Sequence, residues 1–317
     1  MKLSFSIQNW YNYSWNEFCA TAVDLRLQGV EIYNLNGPAF QGKSSPTNPE
    51  LARSTRRKLI NQNLSIPCID TVCDFTDEAS FAEMRECIEL AVNLGVEYIG
   101  IHTACEDQEA CIARINEYIE SIGEEKVRLL IETTGAYADT IRLRDILNHF
   151  ADDRLGALWN MHDTFVCAKE DAEKTITNLG AYVSHVHIHD FRMEDGKAVP
   201  ELIGEGMLPI GEMMNALRSI NYDGFISIRW NPEWMPELAD IEIILTHFTS
   251  CMKRFEGTRR NRKHLYRNKT NTGKFIWKKE ALIEKTFSQV LDAVVAEFPD
   301  QLAFKYTTLD YTRTYTE

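Results

Sequence analysis

The stretch 184–190 carries the residues of this chain that are best suited to chemistry. It reads Ser-His-Val-His-Ile-His-Asp. Alternation with period two is typical of a β-strand, whose successive side chains point to opposite faces. His185, His187 and His189 are therefore expected to share one face. Such a face predicts either a metal or proton-transfer site or an unusually polar buried layer.

Further polar residues occur near the C-terminal ends of other predicted strands. In chain order these are Glu31, Tyr33, His102, Glu132, Asn160, His162 and Arg229. Burying so many polar groups costs free energy unless they pair or bind a ligand, so we interpret them as one site. The alternatives are structural. Glu132 and Arg229 would then form only a salt bridge, and His185, which lies deeper in its strand, would be a hydrogen-bonded core residue.

Eight apolar runs with strand character alternate with helical patterns along most of the chain. The strands are predicted at 3–7, 30–33, 66–72, 98–102, 127–132, 157–161, 183–189 and 225–229. Two helix starts carry the pattern of a capping box, Ser14 with Glu17 and Ser80 with Glu83. This alternation predicts an α/β fold of the (β/α)8 TIM-barrel type. A doubly wound sheet is the competing fold, but its glycine fingerprint is missing after the first strand. In such a barrel the C-terminal strand ends carry the site.

Composition narrows the classes of partner. The net charge is −13, although residues 253–279 alone carry eleven basic residues against one acid. The rest of the chain is therefore strongly acidic and poorly suited to binding the phosphate backbone of a nucleic acid. No apolar run approaches the roughly 20 residues needed to cross a bilayer. The eight cysteines form no CxxC pair, and the N-terminus lacks the pattern of a signal peptide. We therefore expect a cytoplasmic protein that binds a small molecule, with neither nucleic acid nor membrane as a partner.

Three segments are predicted. Residues 1–255 form the barrel, and residues 256–273, rich in basic and turn-forming residues, form a linker. Residues 274–317 form a short appendage with a helix at 281–298 and a strand at 302–306. This appendage is too small to build a core of its own.

Over about residues 1–250 the chain resembles the sugar phosphate isomerase/epimerase family, the xylose-isomerase-like TIM barrels. The resemblance rests on the order and spacing of Leu130-Ile131-Glu132, Leu158-Trp159-Asn160, His185-Val186-His187-Ile188-His189-Asp190, Gly204-Glu205-Gly206 and the stretch 222–230. The glycines at 204 and 206 are interpreted as a turn rather than a phosphate-binding loop.

This resemblance implies a divalent metal ion held by Glu, Asp, His and Glu at the ends of strands five to eight, with the two glutamates moving protons beside a sugar carbonyl. Glu132 and His187 match this set, whereas Asn160 replaces the Asp and Arg229 replaces the second Glu. Asparagine offers only a neutral oxygen, and arginine cannot coordinate a metal. The departures predict loss of tight metal binding. A divalent metal (Mn, Mg, Co or Zn) on Glu132 and His187 remains an alternative.

Three hypotheses follow. The first is an isomerase or epimerase with altered chemistry, acting on a small sugar-like ligand or a hydroxy or keto acid. Its catalytic residues would be Glu132 as base, Arg229 as electrophile, and His187 or His162 as second proton carrier. The ligand would also contact Glu31, His102, Asn160, His162, Asp163 and His189. The second is a catalytically silent ligand-binding or scaffold domain, and the third is a metal site rebuilt from Glu132, His162, Asp163 and His187.

The tail resembles the opening of an AMP-forming acyl-CoA synthetase or ligase. The resemblance rests on 286–291, 298–304 and 311–317, whereas the ATP-phosphate loop of that family is absent from this chain. It implies that the natural polypeptide continues into a ligase domain, to which the barrel would be covalently fused. A homodimer is an open alternative, because many such barrels dimerise, but no interface pattern indicates one.

Overall fold

A closed barrel of eight parallel strands forms the first of two units in this chain. The computed structural model describes residues 1–41, 45–238, 240–255, 286–297, 302–306 and 311–314. The units are Met1–Lys253 and Arg254–Glu317. The barrel strands are β1 (Lys2–Ser6), β2 (Gly29–Tyr33), β3 (Ile69–Asp70), β4 (Tyr98–Ile101), β5 (Arg128–Glu132), β6 (Leu155–Asn160), β7 (Val183–Ile188) and β10 (Phe225–Ile228). Their order, β1-β10-β7-β6-β5-β4-β3-β2, confirms the predicted TIM barrel.

Helices connect successive strands of the barrel. They are α1 (Trp15–Asp24), α2 (Ala52–Asn61), α3 (Ser80–Leu94), α4 (Gln108–Ile122), α5 (Thr140–Phe150), α6 (Met161–Val166), α7 (Ala172–Leu179), α8 (Ile210–Ser219) and α9 (Ile241–Lys253). The capping box that begins α1 is confirmed. The Ser14 hydroxyl accepts from the backbone of Glu17, and the Glu17 carboxylate accepts from the backbone of Ser14.

The second predicted capping box is wrong. Helix α3 does begin at Ser80, but its hydroxyl donates to the carbonyl of Asp77 instead of capping the helix. The Glu83 carboxylate accepts from the backbone N–H groups of Val72 and Cys73, at 2.7 and 2.8 Å. Both side chains thus bind the loop after β3, since the Ser80 hydroxyl donates to a loop carbonyl and the Glu83 carboxylate accepts from loop N–H groups.

The sequence did not reveal a hairpin, β8 (Asp190–Glu194) with β9 (Lys197–Glu201), that follows β7. Its first residue, Asp190, is buried and binds the loop behind it. The Asp190 carboxylate accepts from the backbone N–H groups of Phe191, Gly204, Gly206 and Leu208. A Cβ on Gly206 would overlap this carboxylate. The glycines therefore serve a turn, as predicted.

The barrel interior is a packed core. Cys68, Leu130 and Leu158 are fully buried against one another, and Tyr98 covers them. All eight cysteines are free thiols, and five of them are buried. Among the described residues, no helix has the length and apolar character needed to cross a membrane.

The second unit contains helix α10 (Phe287–Glu297) and an antiparallel hairpin of β11 (Leu302–Tyr306) and β12 (Tyr311–Thr314). The predicted strand at 302–306 is confirmed, and α10 lies within the predicted helix. The predicted linker, 256–273, lies outside the described residues.

Candidate functional site

Arg229, directly after β10, connects several polar side chains at the barrel mouth. Its Nη1 donates to both carboxylate oxygens of Glu132, at 2.8 and 3.0 Å, and its Nε donates to Oε1 of Gln8 at 3.0 Å. Asn160 donates from Nδ2 to Oε1 of Glu132 at 2.9 Å. We name Gln8, Glu132, Asn160, His187 and Arg229 the Arg229 cluster. Sequence reasoning did not identify Gln8 as one of its members.

His187 is enclosed between two carboxylates. Its Nδ1 lies 3.0 Å from Oε1 of Glu132, and its Nε2 lies 2.6 Å from Oε1 of Glu31. Burial opposes a charge on this imidazole, but the carboxylates of Glu31 and Asp70 outweigh it and raise the pKa of His187 to about 10. Both ring nitrogens are therefore occupied, and no proton is readily released.

The same ion pairs weaken Glu132 as a base. Burial favours the neutral acid, but the positive charge of Arg229, with the hydrogen bond from His187, holds the pKa of Glu132 far below its usual range. The side chain of Glu132 is only 7% exposed. A carboxylate stabilised in this way has little affinity for a proton.

A metal ion at the position implied by the family resemblance does not fit these residues. Arg229 Nη1 lies within hydrogen-bond distance of Glu132 and 3.5 Å from His187 Nδ1, so the guanidinium lies directly against both matching ligands, which are themselves paired with each other. Both ends of the Asn160 amide already have partners. Its Nδ2 donates to Glu132, and its Oδ1 accepts from the backbone N–H of Asp163 and so caps α6. The positive charge that an ion would supply is already provided by the chain.

A second set of polar side chains lies deeper in the barrel. Glu31, Asp70, His185 and His187, with the thiol of Cys68, form what we name the Glu31 cluster. Glu31 is fully buried and also accepts from His185 Nε2 at 3.0 Å through its other oxygen, Oε2. His185 is thus the hydrogen-bonded core residue that the sequence suggested, and burial lowers its pKa. The sequence placed Glu31 at the mouth, but the structure places it in this buried layer.

Asp70 is the site residue that sequence reasoning missed. It ends β3, which is only two residues long and lies inside the run 66–72 that the sequence predicts as an apolar strand. Its Oδ2 lies 3.6 Å from His187 Nε2 and has no hydrogen-bond partner. Burial and the nearby charge of Glu31 raise the pKa of Asp70 well above its usual value. An acidic residue in an otherwise apolar β3 was the pattern that could have revealed it.

The third group, which we name the mouth group, consists of His162, Asp163 and His189. His162 Nδ1 lies 2.7 Å from Asp163 Oδ1, and Thr134 donates its hydroxyl to the other oxygen of Asp163. The rings of His162 and His189 stack with centroids 4.0 Å apart. Burial and the charge of His162 lower the pKa of His189 to about 3, so this ring is neutral.

The position predicted for His162 was wrong in one respect. Strand β6 ends at Asn160, and His162 lies in the first turn of α6 rather than on the strand face. Asn160 caps that helix, which is why the strand ends one residue early. His102, half-buried after β4, contributes to the low pKa of Glu132 through its charge.

The metal site rebuilt from Glu132, His162, Asp163 and His187 does not assemble. Within the described residues, the groups of metal-ligand type that converge are Glu31–His185–His187, Glu31–Cys68–Asp70 and His162–Asp163–His189. The last is a poor chelate, because a metal must lie near the plane of each imidazole and two stacked rings cannot share such a point.

Comparison with known proteins agrees with the fold. Residues 19–251 match the family model described as the xylose isomerase-like TIM barrel. No curated protein matches the chain by sequence. The match does not extend into 274–317, and the ligase resemblance of that segment, like the homodimer and the cytoplasmic location, stays a prediction.

Solved structures give the same architecture at low identity. The IolI protein, solved with a bound zinc atom, is 16% identical with a TM-score of 0.67 and covers 81% of this chain and 100% of its own. The D-psicose 3-epimerase of Clostridium cellulolyticum H10, solved with D-tagatose, is 12% identical with a TM-score of 0.65 and covers 80% and 98%. AsbF of Bacillus anthracis, a probable 3-DHS dehydratase, is 16% identical with a TM-score of 0.62 and covers 80% and 99%. The chain belongs to the xylose isomerase-like TIM barrel family.

Proposed function

We propose that this barrel is an isomerase- or epimerase-like domain that binds a small sugar-like hydroxy or keto acid through Arg229, with no metal ion at the mouth. The observation that carries the proposal is the position of the Arg229 guanidinium directly against Glu132 and His187. A guanidinium recognises a carboxylate through charge-assisted hydrogen bonds, whereas a neutral sugar gains less from it.

Arg229 retains capacity for a ligand. Nη1 donates to Glu132 and Nε donates to Gln8, but Nη2 makes no hydrogen bond with any described residue. The side chain is 16% exposed, and its guanidinium lies over the ring of Tyr33, 5.9 Å from the centroid. A ligand carboxylate that accepted from Nη2 would add a partner without breaking the existing ion pair.

The proton carrier that this function needs is better sought in His162 than in Glu132 or His187. Glu132 and His187 are both held in ion pairs. His162 is 15% exposed at the mouth, is oriented by Asp163 through Nδ1, and keeps Nε2 without a hydrogen bond to any described residue. An imidazole oriented by a carboxylate is a common arrangement for a general base.

The experiment compares two ligands that differ only at C1. 2-Keto-D-gluconate carries a carboxylate where D-fructose carries a hydroxymethyl group, and both have a carbonyl at C2. Calorimetric titration in the presence of a chelator is expected to show tighter binding of the acid, and Arg229→Gln should weaken that binding about 10- to 100-fold. Arg229→Lys, which keeps the charge, should weaken it less. Equal affinity for both ligands, or no effect of Arg229→Gln, would overturn the proposal.

A catalytically silent binding domain is the second candidate, and the internal pairing of Glu132 and His187 favours it. Exchange of the C3 hydrogen in D2O distinguishes the two, because any epimerase-like reaction must remove a hydrogen next to the carbonyl. Deuterium at C3 of bound 2-keto-D-gluconate, lost in His162→Gln, supports catalysis. Binding without exchange supports a silent domain.

A further inference from the structure

The Glu31 cluster has the composition of a metal site, although it shares only His187 with the ligand set that the family resemblance implies. Two imidazole nitrogens and two carboxylates converge inside the barrel. Glu31 and His187 are fully buried, and Asp70 and His185 are 5% and 1% exposed. Imidazole together with carboxylate is a typical ligand set for zinc and related divalent transition metals.

The distances between the ligand atoms suit a single ion. His187 Nε2 lies 2.6 Å from Glu31 Oε1 and 3.6 Å from Asp70 Oδ2, and His185 Nε2 lies 3.0 Å from Glu31 Oε2. Ligand atoms around a four-coordinate zinc ion lie about 3.3 Å apart, since each is roughly 2.0–2.1 Å from the metal. The ligand atoms of Glu31, His185 and His187 all lie within 4.8 Å of one another, and Asp70 Oδ2 is within reach of His187 as a fourth ligand, so small side-chain adjustments would place them around one ion.

An unsatisfied atom points to the same place. Asp70 Oδ2 is buried without a hydrogen-bond partner, and it is directed towards His187 Nε2. A buried carboxyl oxygen without a partner is destabilising. Coordination to a metal would supply the missing partner.

Charge gives a third argument. Three buried carboxylates, those of Glu31, Asp70 and Glu132, face a single guanidinium. A divalent cation brings this set to zero net charge with both imidazoles neutral.

The surroundings complete the site. His187 would bind the ion through Nε2 and donate from Nδ1 to Glu132 at 3.0 Å, which is the usual second partner of a metal-binding histidine. On the other side, His185 lines a cavity of about 630 Å³ at the N-terminal end of the barrel, together with Lys2, Tyr98 and Phe225.

We propose that Glu31, Asp70, His185 and His187 form a buried structural site for one divalent transition metal ion, zinc by ligand type. The ion would stabilise the barrel beneath Arg229 and take no part in ligand binding at the mouth. The proposal goes beyond the proposed function, since either can hold without the other.

The test measures metal content after folding, because a closed site loads poorly in the folded state. The whole chain is unfolded in guanidinium with a chelator, refolded with an excess of Zn²⁺, desalted and assayed by plasma mass spectrometry. We expect about one zinc per chain in the wild type and in Asp163→Asn, which alters the mouth group, and at least a fivefold loss in Asp70→Asn. Wild-type protein that refolds without zinc, or equal zinc in Asp70→Asn, overturns the proposal. So does zinc lost from Asp163→Asn alone.

A second measurement covers failure of Asp70→Asn to fold. Wild-type protein refolded with Co²⁺ should show the intense visible absorption of a four-coordinate site. The weak spectrum of hexaaqua Co²⁺, in protein whose circular dichroism is native, overturns the proposal without any variant. Neither result bears on the carboxylate selectivity of Arg229, which the ligand titration measures separately.

Discussion

Arg229 donates from Nη1 to both oxygens of Glu132, at 2.8 and 3.0 Å. At this position the family resemblance implies a metal ion held between carboxylates. Arg229, which stands where the family pattern has a glutamate, thus forms a buried ion pair with Glu132. The guanidinium replaces the ion at the mouth.

Loss of this ion pair should destabilise the barrel strongly. Arg229→Gln leaves the carboxylate of Glu132 buried without its cation, and we expect a loss of about 3–5 kcal/mol in the free energy of unfolding, measured with guanidinium. Glu132→Gln combined with Arg229→Gln should lose less than Arg229→Gln alone.

Arg192→Gln is the matched control, because Arg192 is 45% exposed in its ion pairs with Glu194 and Glu201. It should change stability by no more than about 1 kcal/mol. If Arg192→Gln were as costly as Arg229→Gln, burial would not be the reason for the effect.

Gly100 is expected to be required by the side chain of Asp70. A Cβ at this position would overlap Asp70 Oδ1, which leans over the glycine on the neighbouring strand β4. Gly100→Ala should cost about 1–3 kcal/mol of unfolding free energy. The same change in an Asp70→Ala background should cost little, and a double-mutant cycle measures the difference. Additive costs would argue against a steric cause.

Asp190 should stabilise the loop behind the hairpin through both of its oxygens. Oδ1 accepts from the backbone of Phe191 and Leu208, and Oδ2 accepts from Gly204 and Gly206. Asp190→Ala leaves these donors unpaired, and we expect a loss of about 3 kcal/mol or more in the free energy of unfolding. Asp190→Asn keeps one accepting oxygen and should lose about half as much. Equal stability of the wild type and Asp190→Ala would show that water replaces the carboxylate.

The fold was largely predictable because apolar strands and capped helices leave local patterns. The eight barrel strands appear where the apolar runs predicted them, and the Ser14 capping box begins α1. Ser80 and Glu83 have the same spacing, yet they bind the preceding loop. Spacing specifies which partners are within reach, whereas tertiary structure decides between them.

The site was predictable as a set of residues but not as a geometry. Sequence reasoning placed Glu132, His187 and Arg229 together, because parallel strands bring their C-terminal ends to one mouth. It could not foresee that Glu31 lies deeper between two imidazoles, or that Gln8 orients Arg229. Both depend on the tilt of the strands and on rotamers, which leave no trace in local sequence.

Replacement of the ion by Arg229 is tested by restoring the ligand set that the family resemblance implies and asking whether a metal then binds. Melting temperatures are compared with and without Mn²⁺ for the wild type and for Asn160→Asp combined with Arg229→Glu. In the wild type we predict no rise that depends on Glu132, and in the double variant we predict a rise of several degrees, since saturation at 100-fold over Kd stabilises by about 2.7 kcal/mol. A rise in the wild type that Glu132→Gln abolishes and Asp70→Asn retains would contradict the account, because a metal would then bind beside Arg229.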